Sequence, residues 1–439
     1  MYLCNSVILK IMRQLIFIIA LLQISIGLQA QIARDDFRKD IHYSASNYLA
    51  YPGPTQMRLT PAPSGKKPFY LSHYGRHGSR FLIEQSDYNF PCQVLAKADS
   101  AGKLTPLGKD VLRRVTLLRA EADNRLGELT QLGAKQHQQI AKRMFERFPE
   151  VFEGQVTIDA KSTTVNRCIL SMEYALLQLI SMNPSLRVTH DASKFDMWYM
   201  NFQDKKLNRQ KMDSTIQVIF QDFLNKYDKS ELLMERLFND MTYVKEQVNA
   251  EDLTSALFVL ASNLQSTELR KKITLYDLFS DEEIYNYWKV NNAWWYINYG
   301  GYTLNGSKQP YNQRMLLRRI IQEADSCIQL EKPGATLRYG HESMLLPLTC
   351  LLELDGFGLQ TDNLESLERK GWLNYKIFPM GANIQFVFYR KNLQDKDVLV
   401  KVLLNENEAT LPINSNMEPY YKWSEVRDYY LRKLDAYQN

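Results

Sequence analysis

The sequence predicts an α/β protein, a three-layer α/β sandwich core that carries an inserted helical cap. Three observations predict it. Strand-like runs alternate with helical periodicities up to about residue 192 and again from about residue 303. Between them, residues 193–302 show helical spacing and almost no strand-like alternation. Polar clusters near residues 76–80, 161–167 and 341–342 each begin where a predicted strand ends, the place where open α/β sheets bind ligands. Alternation interrupted by a helical block argues for a layered core, from residues 31–192 and 303–439, with a cap from residues 193–302.

The first 30 residues stand apart. Lys10 and Arg13 precede the apolar run Leu15-Ile16-Phe17-Ile18-Ile19-Ala20-Leu21-Leu22, and Ala30 offers a small-residue cleavage point. Basic flank, short apolar run and small residue are the parts of a secretory signal. Gln23 and Ser25 interrupt the run, which is short for a membrane-spanning anchor. No cysteine stands directly after the cleavage point, so a lipid anchor is not suggested. The expectation is an exported protein, periplasmic or secreted, with no stable membrane anchor.

Residues 31–66 contain Pro52, Pro54, Pro61 and Pro63 and predict an extended lead-in. Lys67 to Tyr74 predicts a strand that Gly75 breaks. A helix is expected from about Leu107 to Asn124. Thr130 is a candidate N-cap for a second helix carrying Ile140, Met144, Phe145 and Phe148, stopped by Pro149, with His137 on its surface. Val156–Ala160 predicts a strand and Asn166–Met182 a helix. The cap is rich in aromatic residues, and its Trp294-Trp295-Tyr296 run is read as packing. After it come a helix over 313–330, a strand over 334–339 and a helix over 343–354. Strands over 384–389 and 398–404 are close enough in sequence to pair antiparallel.

Of 439 residues, 45% are hydrophobic and 23% charged, the balance of a globular chain that can bury a sizeable core. The formal charge of +5 is spread without a long basic run, so nucleic acid is not an implied partner. Cys92, Cys168, Cys327 and Cys350 allow two disulfides in an exported protein, in three connectivities. Cys168 and Cys350 also suit buried thiols, since their helical contexts are apolar. No Cys-x-x-Cys or His-x-x-x-His spacing supports a structural zinc site.

The segment Arg76-His77-Gly78-Ser79-Arg80 carries the strongest chemical signal. It follows a strand, and its glycines let the backbone turn close to a ligand. Guanidinium forks match phosphate oxygens in geometry and charge. A neutral imidazole is a competent nucleophile toward phosphorus, and flanking arginines offset the charge on the transferring group. A surface loop with a histidine between arginines fits the five residues equally well when they are taken alone. Two further segments favour the chemical reading. Arg167 falls where a helix opens, a natural anion site. His341-Glu342 pairs an imidazole with a carboxyl group able to donate a proton. His73, on the strand, is read as structural. Lys161 lies where it can meet a phosphate of a multiply charged substrate, and a solvated lysine fits the position equally well.

These motifs resemble the histidine acid phosphatase branch of the histidine phosphatase superfamily. Arg76-His77-Gly78-Ser79-Arg80, Leu129-Thr130-Gln131-Leu132-Gly133-Ala134-Lys135-Gln136, Arg167-Cys168-Ile169-Leu170-Ser171 and a late histidine followed by an acid carry the resemblance. Leu337-Arg338-Tyr339-Gly340-His341, Leu345-Leu346-Pro347-Leu348 and Pro379 to Gln385 look closest to the multiple inositol polyphosphate phosphatases and related bacterial phytases. The resemblance covers the chain from about Phe69 to Pro412. It implies a phosphoglycerate-mutase-like core and hydrolysis of small phosphomonoesters, with inositol polyphosphates as the favoured substrates. It further implies a phosphohistidine at His77, a phosphate clamp of Arg76, Arg80, Arg167 and His341, and a proton donor after His341. No metal and no cofactor are implied.

One departure bears on the donor. The inositol polyphosphate branch has His-Ala-Glu, and the acid phosphatases have His-Asp. This chain has His341-Glu342-Ser343, which puts the acid at the adjacent position. The donor expected here is Glu342. A broad-specificity acid phosphatase and a low-turnover phosphate-binding protein of the same fold stay open as alternatives.

Overall fold

The computed structural model describes residues 32–437, so the proposed signal segment and its cleavage point lie outside the described residues. One eight-stranded sheet organises the chain. Its strands are β1 (Lys67–Arg76), β2 (Thr157–Ser162), β3 (Arg187–Asp191), β4 (Gly334–Gly340), β5 (Asn383–Arg390), β6 (Leu399–Leu404), β7 (Asn407–Ala409) and β8 (Tyr421–Lys422). They run in the order β8-β6-β5-β1-β4-β2-β3, with β7 added to β6. β1, β4, β2 and β3 are mutually parallel along that path, and β5 joins β1 antiparallel. β5 and β6 form the expected antiparallel pair, Ile384 opposite Leu404.

The pleat sorts the side chains into two apolar layers. Leu71, Ile158, Ala160, Leu337 and Tyr339 face helices α4 (Gln131–Arg147) and α5 (Asn166–Met182). Tyr70, Tyr74, Phe386, Phe388 and Val400 face α9 (Arg314–Cys327), α10 (Glu342–Leu352) and α11 (Trp423–Asp435). Helices on both faces of the sheet make the three layers the sequence predicts.

The chain between β3 and β4 is helical over most of its length, including α6 (Ser214–Tyr227), α7 (Ala250–Leu264) and α8 (Asp281–Tyr299). Its apolar residues divide between two cores. Tyr199, Ile216, Trp295 and Tyr296 join the layer under α9 and α10. Leu233, Leu257, Leu278 and Trp288 build a separate helical core together with α2 (Gln85–Ser100) and α3 (Pro106–Glu121). That helical region thus draws on residues 85–121 as well as on the predicted insertion.

Three expectations are corrected. Residues 32–48 are not extended. Ile32–Lys39 forms helix α1, in which Ala33 and Phe37, four apart, are buried, and Ile41–Tyr48 continues as 3-10 turns capped by Asp40. β1 is not broken at Gly75 but runs through Arg76, because Gly75 pairs with both Tyr339 and Asn383. His137 is not on the surface. It continues the buried stripe of Gly133, Ala134, Ile140, Ala141 and Met144 on α4, and only 1% of it is exposed. Among the described residues no disulfide forms: Cys92, Cys168 and Cys350 are buried thiols and Cys327 is half-buried. No described helix is long and apolar enough to cross a membrane.

Candidate active site

β1 delivers Arg76 and His77 to the carboxyl end of the sheet. The Arg76 amide donates to Ala382 O at 2.8 Å, and the His77 amide to Gly340 O at 2.9 Å. The Gly381 amide closes the ring by donating to His77 O at 2.9 Å. The loop that follows is locked onto the start of α4. Thr130 N and Oγ1 both donate to Ser79 O, at 2.9 and 3.1 Å. The Gln136 amide holds Ser79 at both ends, accepting from its N–H at 2.9 Å and donating to its hydroxyl at 3.0 Å. The glycines are needed for this contact: a Cβ on Gly133 would stand 2.3 Å from Ser79 O, and one on Gly78 2.5 Å from Gly133 O. The Thr130–Gln136 motif thus fixes the shape of the Arg76–Arg80 loop.

His77 is fully buried. Its Nδ1 lies 2.9 Å from Gly78 O. A carbonyl only accepts, so Nδ1 carries the proton and Nε2 presents its lone pair. Nε2 has no hydrogen-bond partner among the described residues, and Glu342 Oε2 stands 3.4 Å from it. Burial holds the imidazole well below its usual pKa, and the Arg76 and Arg167 charges push the same way against the pull of Glu342. The ring is neutral, as a nucleophile must be.

Three guanidinium groups belong to the same cluster: the Arg76 and Arg167 charges act on His77, and those of Arg167, Arg76 and Arg80 act on His341. Arg76, fully buried, donates through Nη1 to Asn47 O and Phe378 O, each at 2.7 Å, and through Nε to Glu342 Oε2 at 3.1 Å. Arg80 donates to Phe81 O at 2.9 Å and faces the Tyr48 ring, 5.6 Å away. Arg167 sits in the first turn of α5. Arg76 Nη2, Arg80 Nε and Arg167 Nε are buried and have no acceptor among the described residues. Burial pushes Arg76 down to about 10 despite the Glu342 carboxylate, and the charges of Arg80 and Arg167 add to the fall. Mutual repulsion and three unmatched donors are costs that an anion with several oxygens removes.

His341 is the N-cap residue of α10, and Glu342 lies in the first turn of that helix. His341 Nε2 is 3.1 Å from Thr163 Oγ1, and its ring centre is 5.9 Å from that of His77. Burial pushes His341 down to about 4. Burial alone would raise Glu342, but Arg76 overcomes it, with His77 and Arg80 adding to the effect, and the carboxyl group is held well below the usual carboxylate range. His77, His341 and Glu342 present ligand atoms within 4.8 Å of one another. Three guanidiniums beside those atoms favour an anion there over a cation.

The structure therefore brings together Arg76, His77, Arg80, Arg167, His341 and Glu342. Lys161 stands apart from them. The pleat turns it to the face of β2 that carries Asp159, whose carboxylate holds its ammonium at 3.0 Å. Asn383 and Gln385 bond to each other and to the surrounding loops, a structural role. Sequence reasoning missed Asn47 and Tyr48, which sit in turns that had been read as extended chain, and Phe378, which contributes only a carbonyl.

His73 and His137 flank Tyr339 beneath the site, with ring centres 5.1 and 5.5 Å from it. Burial pushes both down to about 3. In the unfolded chain they titrate near 6.5, so below that pH the unfolded state binds more protons and stability falls. The loss begins at pH 6.5 and continues to about pH 3. Each histidine costs roughly 1.4 kcal/mol per pH unit in that window. Urea unfolding is expected to show a shallower loss between pH 6.5 and 5 for His137→Leu than for the unaltered protein, by roughly 2 kcal/mol. Equal slopes would contradict the neutral buried imidazole.

Comparisons with known proteins agree with this fold. The family model described as histidine phosphatase superfamily (branch 2) matches residues 76–405. The multiple inositol polyphosphate phosphatase 1 of Gallus gallus is 23% identical over 389 residues, covering 82% of each chain. The multiple inositol polyphosphate phosphatase of Bifidobacterium longum, solved with inositol hexasulfate, superposes with a TM-score of 0.75 at 16% identity, covering 88% of this chain and 97% of that one. The phytase of D. castellii gives 0.65 at 14% identity, covering 90% and 86%. Matched by this family model over residues 76–405, the chain belongs to branch 2 of the histidine phosphatase superfamily.

Proposed function

We propose that the protein hydrolyses inositol polyphosphates through a covalent phosphohistidine at His77. The observation that carries this reading is a neutral, buried imidazole with a free Nε2, in one cluster with three arginines that each hold a buried, unmatched guanidinium N–H. In the first step Nε2 attacks phosphorus as the bond from phosphorus to the ester oxygen breaks. Arg76, Arg80, Arg167 and His341 hold the phosphoryl oxygens, and the leaving oxygen takes a proton from Glu342. In the second step Glu342, now a carboxylate, draws a proton from water as the water oxygen attacks phosphorus. The N–P bond breaks and inorganic phosphate leaves.

Glu342 must be protonated to act first as an acid. Without phosphate the arginines hold it ionised. A phosphate dianion among those arginines offsets their charge and adds a like charge beside the carboxylate, and both effects raise its pKa. Substrate binding thus supplies the protonated donor.

The similarity to inositol polyphosphate phosphatases and a phytase supports the substrate class. Phosphate release from inositol hexakisphosphate and from p-nitrophenyl phosphate tests it. A higher kcat/KM on the hexakisphosphate is expected. A preference for the small ester would favour a broad-specificity acid phosphatase instead.

A further inference from the structure

We propose that Lys211 binds a second phosphate of the substrate, so that the site selects esters carrying more than one phosphate; this rests on the phosphatase reading above. Lys211 caps the short helix Lys205–Gln210, where its amide donates to Leu207 O at 3.1 Å. Its carbonyl accepts from Asn305 Nδ2 at 3.3 Å. The backbone is thereby anchored, and the ammonium lies 5.0 Å from the centre of the Tyr299 ring.

Lys211 differs from Lys205, Lys206 and Arg209 of the same segment, which are exposed, and from three paired cations nearby. Lys226 and Lys289 share Glu365, at 2.5 and 2.7 Å, and Arg314 holds Asp204 at 2.7 Å. Lys211 is half-buried, yet among the described residues no carboxylate lies within ion-pair distance of it. Burial alone lowers its pKa. A lysine that loses water without gaining a counter-ion is destabilising, and the cation–π contact returns only about 1 kcal/mol. An anionic group seated on it would offset the remainder.

Its position connects to the site. Tyr299 stacks on Trp295 at 5.2 Å, and Trp295 packs on Phe378 at 4.8 Å. The Phe378 carbonyl accepts from Arg76 at 2.7 Å. Tyr299 also lies within the electrostatic reach of Glu342. Lys211 therefore stands on an aromatic wall that begins at the phosphate clamp. The cavity of about 220 Å³ beside Asn47, Tyr48 and Trp294 offers no rival place for a second phosphate, because Asp228 and Glu251 line it and no lysine or arginine does.

The test uses the full-length protein and the variants Lys211→Met and Lys211→Arg. Calorimetry measures the binding of inositol hexasulfate, which is not a phosphate ester, and of inorganic phosphate. Lys211→Met is expected to weaken hexasulfate binding about tenfold and phosphate binding less than twofold, with most of the loss restored in Lys211→Arg. Turnover should follow, with KM for the hexakisphosphate raised and p-nitrophenyl phosphate kinetics unchanged. Unchanged hexasulfate affinity, an equal loss for phosphate, or no hexasulfate binding by the unaltered protein would overturn the proposal. If the unaltered protein binds hexasulfate but releases no phosphate from any ester, the phosphatase reading fails, and the binding comparison still decides Lys211.

Discussion

His77→Ala is expected to lower kcat by at least about a thousandfold on every phosphomonoester while leaving phosphate binding and the fold in place. The imidazole presents an unprotonated Nε2 with no partner among the described residues, within reach of the Arg76 and Arg167 charges. Its loss removes the covalent route, and the remaining groups supply only binding and charge stabilisation. The imidazole is neutral, so no buried charge is left unpaired. Only the Gly78 carbonyl loses a donor, at a cost of about 1–2 kcal/mol. Steady-state kinetics with unfolding curves separates this from a folding defect. Residual turnover within tenfold of the unaltered protein would exclude His77 as nucleophile.

Glu342→Gln should have the second-largest effect, and its size should depend on the leaving group. On alkyl phosphates such as inositol phosphates, loss of the proton donor is expected to cost about 10²- to 10⁴-fold in kcat. p-Nitrophenolate leaves without protonation, so the first step with that ester should be nearly unaffected. Hydrolysis of the phosphoenzyme still loses its base, and a rapid burst of p-nitrophenol followed by slow turnover is the expected trace. Glutamine also removes the carboxylate 3.1 Å from Arg76 Nε, which makes the pocket more positive and should tighten phosphate binding. Equal losses on both esters, without a burst, would place Glu342 in a structural role.

Much of this site was legible in the sequence because its groups sit at strand ends. The ends of β1, β2 and β4 carry Arg76-His77, the lead to Arg167, and His341-Glu342. Alternating strands and strongly periodic helices mark such places plainly, and Asn166–Met182 was bounded to the residue. The supports were harder to read. Asn47 and Phe378 act through backbone carbonyls, which any residue supplies. α1 shows only two buried residues, too few to establish a period. α2 contains Pro91, which reads as a break, and the five residues of β3 form a polar edge strand with little burial. His137 was misjudged as polar surface although it stands three residues before Ile140 and seven before Met144, on the buried stripe. Lys161 is a position where the sequence leaves two readings open. Its place in the sequence suggested a phosphate contact, but the pleat turns it toward Asp159.

The departure to His341-Glu342-Ser343 acquires a physical sense from the geometry. α10 begins at Glu342, directly after its N-cap His341. That turn places the Glu342 carboxylate 3.4 Å from His77 Nε2 and in contact with Arg76. A carboxyl group at the position adjacent to the histidine can therefore reach the nucleophile.

The most direct test of a covalent phosphohistidine is to quench Glu342→Gln during turnover and locate the phosphoryl group by peptide mass spectrometry. The account predicts one phosphate on His77, stable in alkali, released by acid and missing when His77→Ala is added. A phosphoryl group on another residue, or one that persists in the double variant, would contradict it.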